Sequence, residues 1–63
     1  MLSLVIPVYN EEQLIDELVS RVIKSVESFV DDYELLFVDD GSTDTTVKML
    51  LHHRHKNKKI KLE

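Results

Sequence analysis

The chain is at most one small domain: it has 63 residues, of which 43% are hydrophobic and 32% charged, with a formal net charge of −4. It has no cysteine, so neither disulfides nor a thiolate metal site can supplement its small core. The apolar stretch Leu2–Val8 is too short to cross a bilayer and lacks the basic start of a secretory leader, so we expect a soluble, cytoplasmic chain.

Charge is distributed unevenly along the chain. Residues 1–44 carry eleven acidic and two basic side chains, whereas residues 45–63 carry six basic and one acidic. No aromatic residues interleave with the basic ones, so we interpret this end as a solvated helix terminus and expect no nucleic-acid partner. His52, His53 and His55 lack the i,i+4 spacing of a helical zinc site, and we expect them to be solvated helix residues.

The first half of the chain predicts a strand followed by a helix. Leu2–Val8 predicts a short strand covered on both faces, with Pro7 near its end or on an unpaired side. Asn10 predicts the N-cap of a helix over about residues 11 to 29, with Gln13 completing a capping box and Glu17–Arg21 forming an i,i+4 pair. The helix buries an apolar stripe: Leu14, Ile15, Leu18, Val19, Val22, Ile23, Val26, Phe29 and Val30.

The second half repeats this order. Tyr33–Val38 predicts a second strand, which the polar turn Asp39–Ser42 ends. Ser42 or Thr43 is then expected to cap a second helix. The inner stripe of that helix is Val47, Leu50 and Leu51. The alternating pattern of Lys59–Leu62 is a weak indication of a third, edge strand.

Strands that alternate with helices predict right-handed crossovers and a parallel sheet, here a Rossmann-like βαβα(β) unit of the α/β class. Successive crossovers in one direction place both helices on one face of the sheet and leave the other face bare. We therefore interpret residues 1–63 as a fragment of a larger domain, or as a chain that hides its second face in a homo-oligomer. Leu62-Glu63 is interpreted as a candidate cloning remnant.

Parallel strands end at one edge of a sheet, so the segments Val8–Glu11 and Asp39–Ser42 are expected to meet in one crevice. Phosphate-binding glycine motifs are absent, so we expect a nucleotide there to be held by its base and ribose. Carboxylates accept hydrogen bonds from base N–H groups and ribose hydroxyls, and Tyr9 can lie against a base. The acidic residues of the crevice are Glu11, Glu12, Asp39, Asp40 and Asp44.

These residues also suit structural roles. Asp, Gly and Ser are the usual residues of a strand-to-helix turn, Asn10 suits a helix cap, and Tyr9 suits ordinary packing. Asp39 and Asp40 are adjacent, so their side chains should diverge and not form a metal site together.

Two motifs resemble those that begin a family 2 glycosyltransferase: Val5–Glu12, which reads VIPVYNEE, and Phe37–Thr46, which reads FVDDGSTDTT. The Asn-Glu-Glu form and the lead-in Tyr33–Leu36 are most similar to polyprenyl-phosphate glycosyltransferases, the group that includes dolichol-phosphate mannose synthase. The likeness covers nearly the whole chain.

The resemblance implies a GT-A fold, whose first half is a Rossmann-like nucleotide-binding region, and a UDP- or GDP-sugar donor. It implies that Asp39 or Asp40 contacts the base or ribose, and that Gly41 and Ser42 shape the loop. By the same likeness, the base and ribose pocket is lined by Pro7, Tyr9, Asn10 and Glu11.

Other parts of such an enzyme are expected outside these residues. The resemblance implies a later Asp-x-Asp motif that holds Mg²⁺ or Mn²⁺, a later catalytic carboxylate, and membrane segments. Residues 1–63 are thus expected to hold no catalytic or metal-binding residue and to be inactive alone. The full-length protein is expected to act at the cytoplasmic face of a membrane, with a polyprenyl phosphate among its acceptors.

Other classes of protein are weighed against this one. A non-catalytic α/β interaction module that self-associates through its open sheet face remains an alternative for the chain itself. A phosphatase of the haloacid dehalogenase type is disfavoured, because Val38 stands where its nucleophilic aspartate should be. A response-regulator receiver is disfavoured because its acidic pair follows the first strand, which here ends in Val8-Tyr9-Asn10.

Overall fold

The computed structural model describes all 63 residues, which alternate between strand and helix. Its elements are β1 (Leu2–Val8), α1 (Ile15–Glu27), β2 (Tyr33–Asp39), α2 (Thr46–Lys56) and β3 (Ile60–Leu62). The strands form one parallel sheet in the order β1-β2-β3. The predicted Rossmann-like α/β architecture is confirmed, including the weakly indicated third strand.

One sheet face and both helices enclose the core. Alternate residues of β2 are buried, and Leu35 pairs in register with Leu4 of β1 and Ile60 of β3. The buried apolar residues form a single cluster: Val8, Ile15, Val19, Val26, Tyr33, Leu35, Phe37, Leu50 and Ile60. Both helices therefore pack on the same face of the sheet, as predicted.

The opposite face of the sheet is open. Val5 is 63% exposed, and its neighbours Ser3 and Pro7 in β1 are exposed as well. The prediction that Leu2–Val8 is covered on both faces is therefore wrong for this chain, because both crossovers place their helices on the same side. Pro7 does lie in an edge strand next to its last residue, where a missing N–H is tolerated.

Helix α1 begins later than its sequence pattern suggests. It starts at Ile15, and the N-cap position is held by Leu14, which makes no side-chain cap bond. Asn10 lies four residues earlier with a φ of 46°, outside the β region usual for an N-cap, and its side-chain oxygen accepts from Thr43 N. The predicted Asn10 cap and its capping box with Gln13 are therefore wrong. Leu14 and Phe29, 56% and 69% exposed, lie outside α1 and off the buried stripe.

Helix α2 begins at Thr46 with Thr45 at the N-cap, so the prediction that Ser42 or Thr43 caps it is wrong. Its His53 Nε2 lies 2.7 Å from Asp16 Oδ1 of α1, and the expectation of merely solvated histidines fails for that residue. The predicted Glu17–Arg21 ion pair is confirmed at 3.0 Å. Neither helix has the length and apolar character that crossing a membrane requires.

Leu50 and Leu51 are neighbours in α2 that test this packing, since Leu50 is fully buried and Leu51 is 40% exposed. We expect Leu50→Ala to lower the free energy of unfolding by about 2–5 kcal/mol, because it removes buried methyl groups and leaves a cavity. Leu51→Ala should cost less than about 1 kcal/mol. Urea unfolding followed by circular dichroism measures both, and equal losses would contradict the assigned core.

Candidate functional site

Two loops lie side by side at the carboxyl edge of the sheet. Loop A (residues 9–14) follows β1, and loop B (residues 40–45) follows β2. Because β1 and β2 are parallel neighbours, with Val8 opposite Asp39, both loops leave the sheet at the same point. Asp40 N donates to Val8 O at 3.1 Å, which continues the pairing beyond the strands. The predicted convergence of these two segments is confirmed.

Backbone N–H groups of loop A donate hydrogen bonds to side chains that follow β2 in the sequence. Three consecutive N–H groups donate to three side-chain oxygens: Asn10 N to Ser42 Oγ at 2.9 Å, Glu11 N to Thr46 Oγ1 at 2.8 Å, and Glu12 N to Asp44 Oδ2 at 3.3 Å. None of these amides lies in a helix or a strand ladder. Side chains therefore supply the hydrogen-bond partners of all three N–H groups, including the half-buried ones of Glu11 and Glu12.

Loop B returns the same kind of bond to loop A. Thr43 N donates to Asn10 Oδ1 at 2.7 Å, and Thr45 N donates to Glu12 Oε2 at 3.3 Å, where the Thr45 hydroxyl also donates. We refer to the five bonds from a backbone N–H of one segment to a side chain of the other as the cross-loop hydrogen bonds. One of them, from Thr43 N, occupies Asn10 Oδ1, so the Asn10 side chain joins the loops and does not cap a helix.

The five acidic side chains of the crevice fall into two groups. Three of them accept hydrogen bonds from the loops: Glu12, Asp39 and Asp44. The carboxylates of Glu11 and Asp40 make no hydrogen bond or ion pair, and Tyr9 beside them is 54% exposed. The side chains free to meet a ligand are therefore those of Tyr9, Glu11 and Asp40.

Asp39 ends β2 and shapes loop B. Its Oδ2 accepts from Gly41 N at 3.2 Å and from Ser42 N at 3.1 Å, while its Oδ1 is buried without a partner. The Ser42 hydroxyl, together with these two backbone N–H groups, lowers the pKa of Asp39 below its ordinary value despite partial burial. Gly41 has a φ of 82°, and a Cβ there would meet nothing within 4 Å, so the backbone conformation alone favours glycine.

Asp44 joins three segments. Its Oδ1 accepts from Thr46 N at 2.9 Å while its Oδ2 accepts from Glu12 N. Burial acts to raise the pKa of Asp44, but the Thr46 hydroxyl and the surrounding N–H groups outweigh it and leave the pKa below its ordinary value. Asp44 is therefore held ionised within the loop structure.

The predicted site residues thus have different surroundings. Asn10, Asp39, Gly41 and Ser42 build the loops, Pro7 lies exposed in β1, and Tyr9, Glu11 and Asp40 have free side chains. The sequence reading missed the structural roles of Glu12, Asp44 and Thr46. The unbroken run of hydroxyl and carboxylate side chains over Ser42–Thr46 was the available signal, since such side chains accept hydrogen bonds from backbone N–H groups.

Other candidate features lie elsewhere or do not form. A cavity of about 310 Å³ is lined by Asp16, Lys48, Met49 and His52, which belong to α1 and α2 and not to the loops. No group of three or more His, Asp or Glu side chains is arranged to hold a metal ion.

The match of this chain to a known protein family extends over the strands and both loops. The sequence profile described as glycosyl transferase family 2 matches residues 3–63, which include both loops. The chain belongs to glycosyl transferase family 2. The resemblance seen in its two motifs is thereby confirmed.

A named relative of this family 2 chain is the undecaprenyl-phosphate 4-deoxy-4-formamido-L-arabinose transferase of Proteus mirabilis (strain HI4320). The two are 54% identical over 48 residues, which is 76% of this chain and 15% of the relative. The chain thus spans only a small part of the length of the relative that it matches. No solved structure gives a significant match.

The pKa directions at Asp39 and Asp44 predict acid sensitivity of this family 2 chain. Both folded-state pKa values lie below the unfolded value of about 4. Their stabilisation is therefore fully present above about pH 4 and is lost as the pH falls through the folded-state values.

We expect the free energy of unfolding to fall less steeply below about pH 4 in Asp44→Asn than in the natural chain, because one of the two shifted groups is gone. Asp31→Asn is the matched control, since the Asp31 side chain makes no hydrogen bond or ion pair. Urea unfolding at a series of pH values measures the slopes, and identical slopes in all three proteins would contradict the assignment.

Proposed function

We propose that this chain is the donor-nucleotide-binding part of a transferase that moves a sugar from a UDP- or GDP-sugar to an acceptor. One observation carries the proposal: Glu11 and Asp40 have free carboxylates on two loops that converge at the carboxyl edge of a parallel sheet. Ligands of open α/β sheets bind outside that edge.

The chemistry of the crevice suits the base and ribose of a nucleotide better than its phosphates. Carboxylates accept hydrogen bonds from the imide N–H of uracil, the N–H groups of guanine and the ribose hydroxyls. Tyr9, 54% exposed, offers an aromatic surface against the base. Diphosphate oxygens would be repelled by these acids, so they are expected to point away from the loops.

The metal expected in the full-length enzyme, Mg²⁺ or Mn²⁺, does not fit the residues of this chain. The two free carboxylates stand on separate loops, and no set of three ligating side chains gathers around them. We therefore expect the metal ligands and the catalytic carboxylate in other parts of the full-length protein, and the chain by itself to be inactive.

The acceptor is proposed from the relative's name. The Proteus mirabilis transferase, 54% identical over 48 residues, is named for undecaprenyl phosphate. We propose a polyprenyl phosphate as acceptor of the full-length protein, which would bring that protein to the cytoplasmic face of a membrane.

We expect weak, millimolar binding of UDP or GDP by the chain, because only the base and ribose contacts are present. A ¹⁵N–¹H correlation spectrum titrated with each nucleotide should show shifts confined to residues 7–12 and 38–44. Asp40→Asn and Glu11→Gln should each weaken binding by about tenfold, the order expected for losing a hydrogen bond to a charged group.

Glu17→Gln is the control for these variants, because Glu17 lies on α1 and pairs only with Arg21. It should bind as the natural chain does. A well-dispersed spectrum that ignores both nucleotides at millimolar concentration would contradict donor binding by this chain.

The open sheet face favours a second candidate function, a self-associating α/β module. Val5 is 63% exposed there, and Leu36 and Val38 beside it are only half-buried. If a second copy covers this face, the mass measured by sedimentation should be that of a dimer, and Val5→Lys should reduce it to a monomer. Leu14→Lys, at an equally exposed apolar residue off the sheet, should leave the dimer intact. A monomeric natural chain would rule this candidate out.

A further inference from the structure

Thr46 is an unusual residue to find in the core. It is 0% exposed and is the only Ser, Thr, Asn, Gln or charged residue of the chain that is buried. Burying a hydroxyl is costly unless it is hydrogen-bonded, and valine would fill the same space without that cost. The hydroxyl therefore needs an explanation beyond packing.

The Thr46 hydroxyl acts on two neighbours: it lowers the pKa of Asp44, and it accepts a hydrogen bond from loop A. Its Oγ1 accepts from Glu11 N at 2.8 Å, although the two residues are 35 apart in the sequence. Thr46 is the first residue of α2, and its β-branched side chain is restricted at χ1. The place of the Glu11 amide is thus set by the rigid start of a helix and by the core beneath it.

Glu11 is held by its backbone and free at its side chain. Its N–H donates to Thr46, its C=O accepts from Leu14 N at 2.9 Å, and its carboxylate has no partner. The next residue is held in the same way, because Glu12 N donates to the Asp44 carboxylate. A fixed backbone with an unengaged side chain is the arrangement that presents a group to a ligand with little loss of entropy on binding.

We infer that Thr46 is a positioning residue of the nucleotide site: its buried hydroxyl fixes Glu11, so that the Glu11 carboxylate is preorganised for the donor's base or ribose. This inference rests on the proposed function, since it names a residue that serves the same site without touching the ligand. Removing the hydroxyl leaves the Glu11 amide unpaired and lets the carboxylate take up positions that do not bind.

Three variants test the hydroxyl. Thr46→Val keeps the shape and removes the hydroxyl, Thr46→Ser keeps the hydroxyl, and Ser20→Ala removes an exposed hydroxyl of α1 that forms no hydrogen bond. In titrations with UDP and with GDP, Thr46→Val should bind about tenfold more weakly, as expected for a lost hydrogen bond to an oriented group. Thr46→Ser should restore binding to within about twofold, and Ser20→Ala should bind as the natural chain does.

A double-mutant cycle separates positioning from mere stabilisation. If Thr46 acts through the Glu11 carboxylate, Thr46→Val should cause no further weakening in a Glu11→Gln chain. A full tenfold loss in that background would overturn the inference and make Thr46 a structural residue only. If Thr46→Val does not give a dispersed spectrum, Thr46→Cys takes its place in the same cycle with the same expected outcomes, because a thiol fills most of the same space and is a weak acceptor.

The failures are distinguishable. If the natural chain binds nucleotide and Thr46→Val binds equally well, the inference is wrong and the proposed function stands. If the natural chain binds neither UDP nor GDP, the proposed function is wrong for this chain and the inference falls with it.

Discussion

The parallel pairing of β1 with β2 is the constraint on which the rest of the molecule depends. It places Val8 opposite Asp39, so that the loops after the two strands leave the sheet at one edge. It also requires a right-handed crossover through α1, which brings the apolar side of that helix onto the sheet. The core and the site are thus two results of one strand pairing.

The acidic side chains at the edge of the sheet are of two kinds: some hold the loops together through hydrogen bonds, and others have free carboxylates. Glu12, Asp39 and Asp44 accept hydrogen bonds from backbone groups, whereas Glu11 and Asp40 accept none. The first three reduce the repulsion that five neighbouring acids would otherwise create, because each is balanced by N–H dipoles. The strongly acidic first part of the chain is therefore compatible with a stable loop pair.

Much of this could be predicted from the sequence, because it depends on local pattern. The apolar run Leu2–Val8 and the helical spacing from Ile15 to Val26 fixed the elements and most of the core. The errors fall where a distant residue outcompetes a local preference. Asn10 has the composition of a helix cap, yet its side chain binds Thr43, 33 residues away, and its backbone turns left-handed. No local rule contains that partner.

The contacts of Thr46 and His53 could not be predicted for the same reason, because their partners lie on other elements. The convergence of the two polar loops could be predicted, because the carboxyl ends of parallel strands meet at one edge of the sheet whatever the details of the loops. The sequence does not show which acidic side chains build the loops and which stay free, because that depends on hydrogen bonds between distant segments.

The sequence separation of the cross-loop hydrogen bonds has a kinetic consequence. Each joins residues 32 to 35 positions apart, so forming any one of them brings together the two ends of a segment that contains α1 and β2. Contacts of this range form slowly and are rewarded only after the chain between them has collapsed. The paired loops are therefore among the last parts of the chain to form.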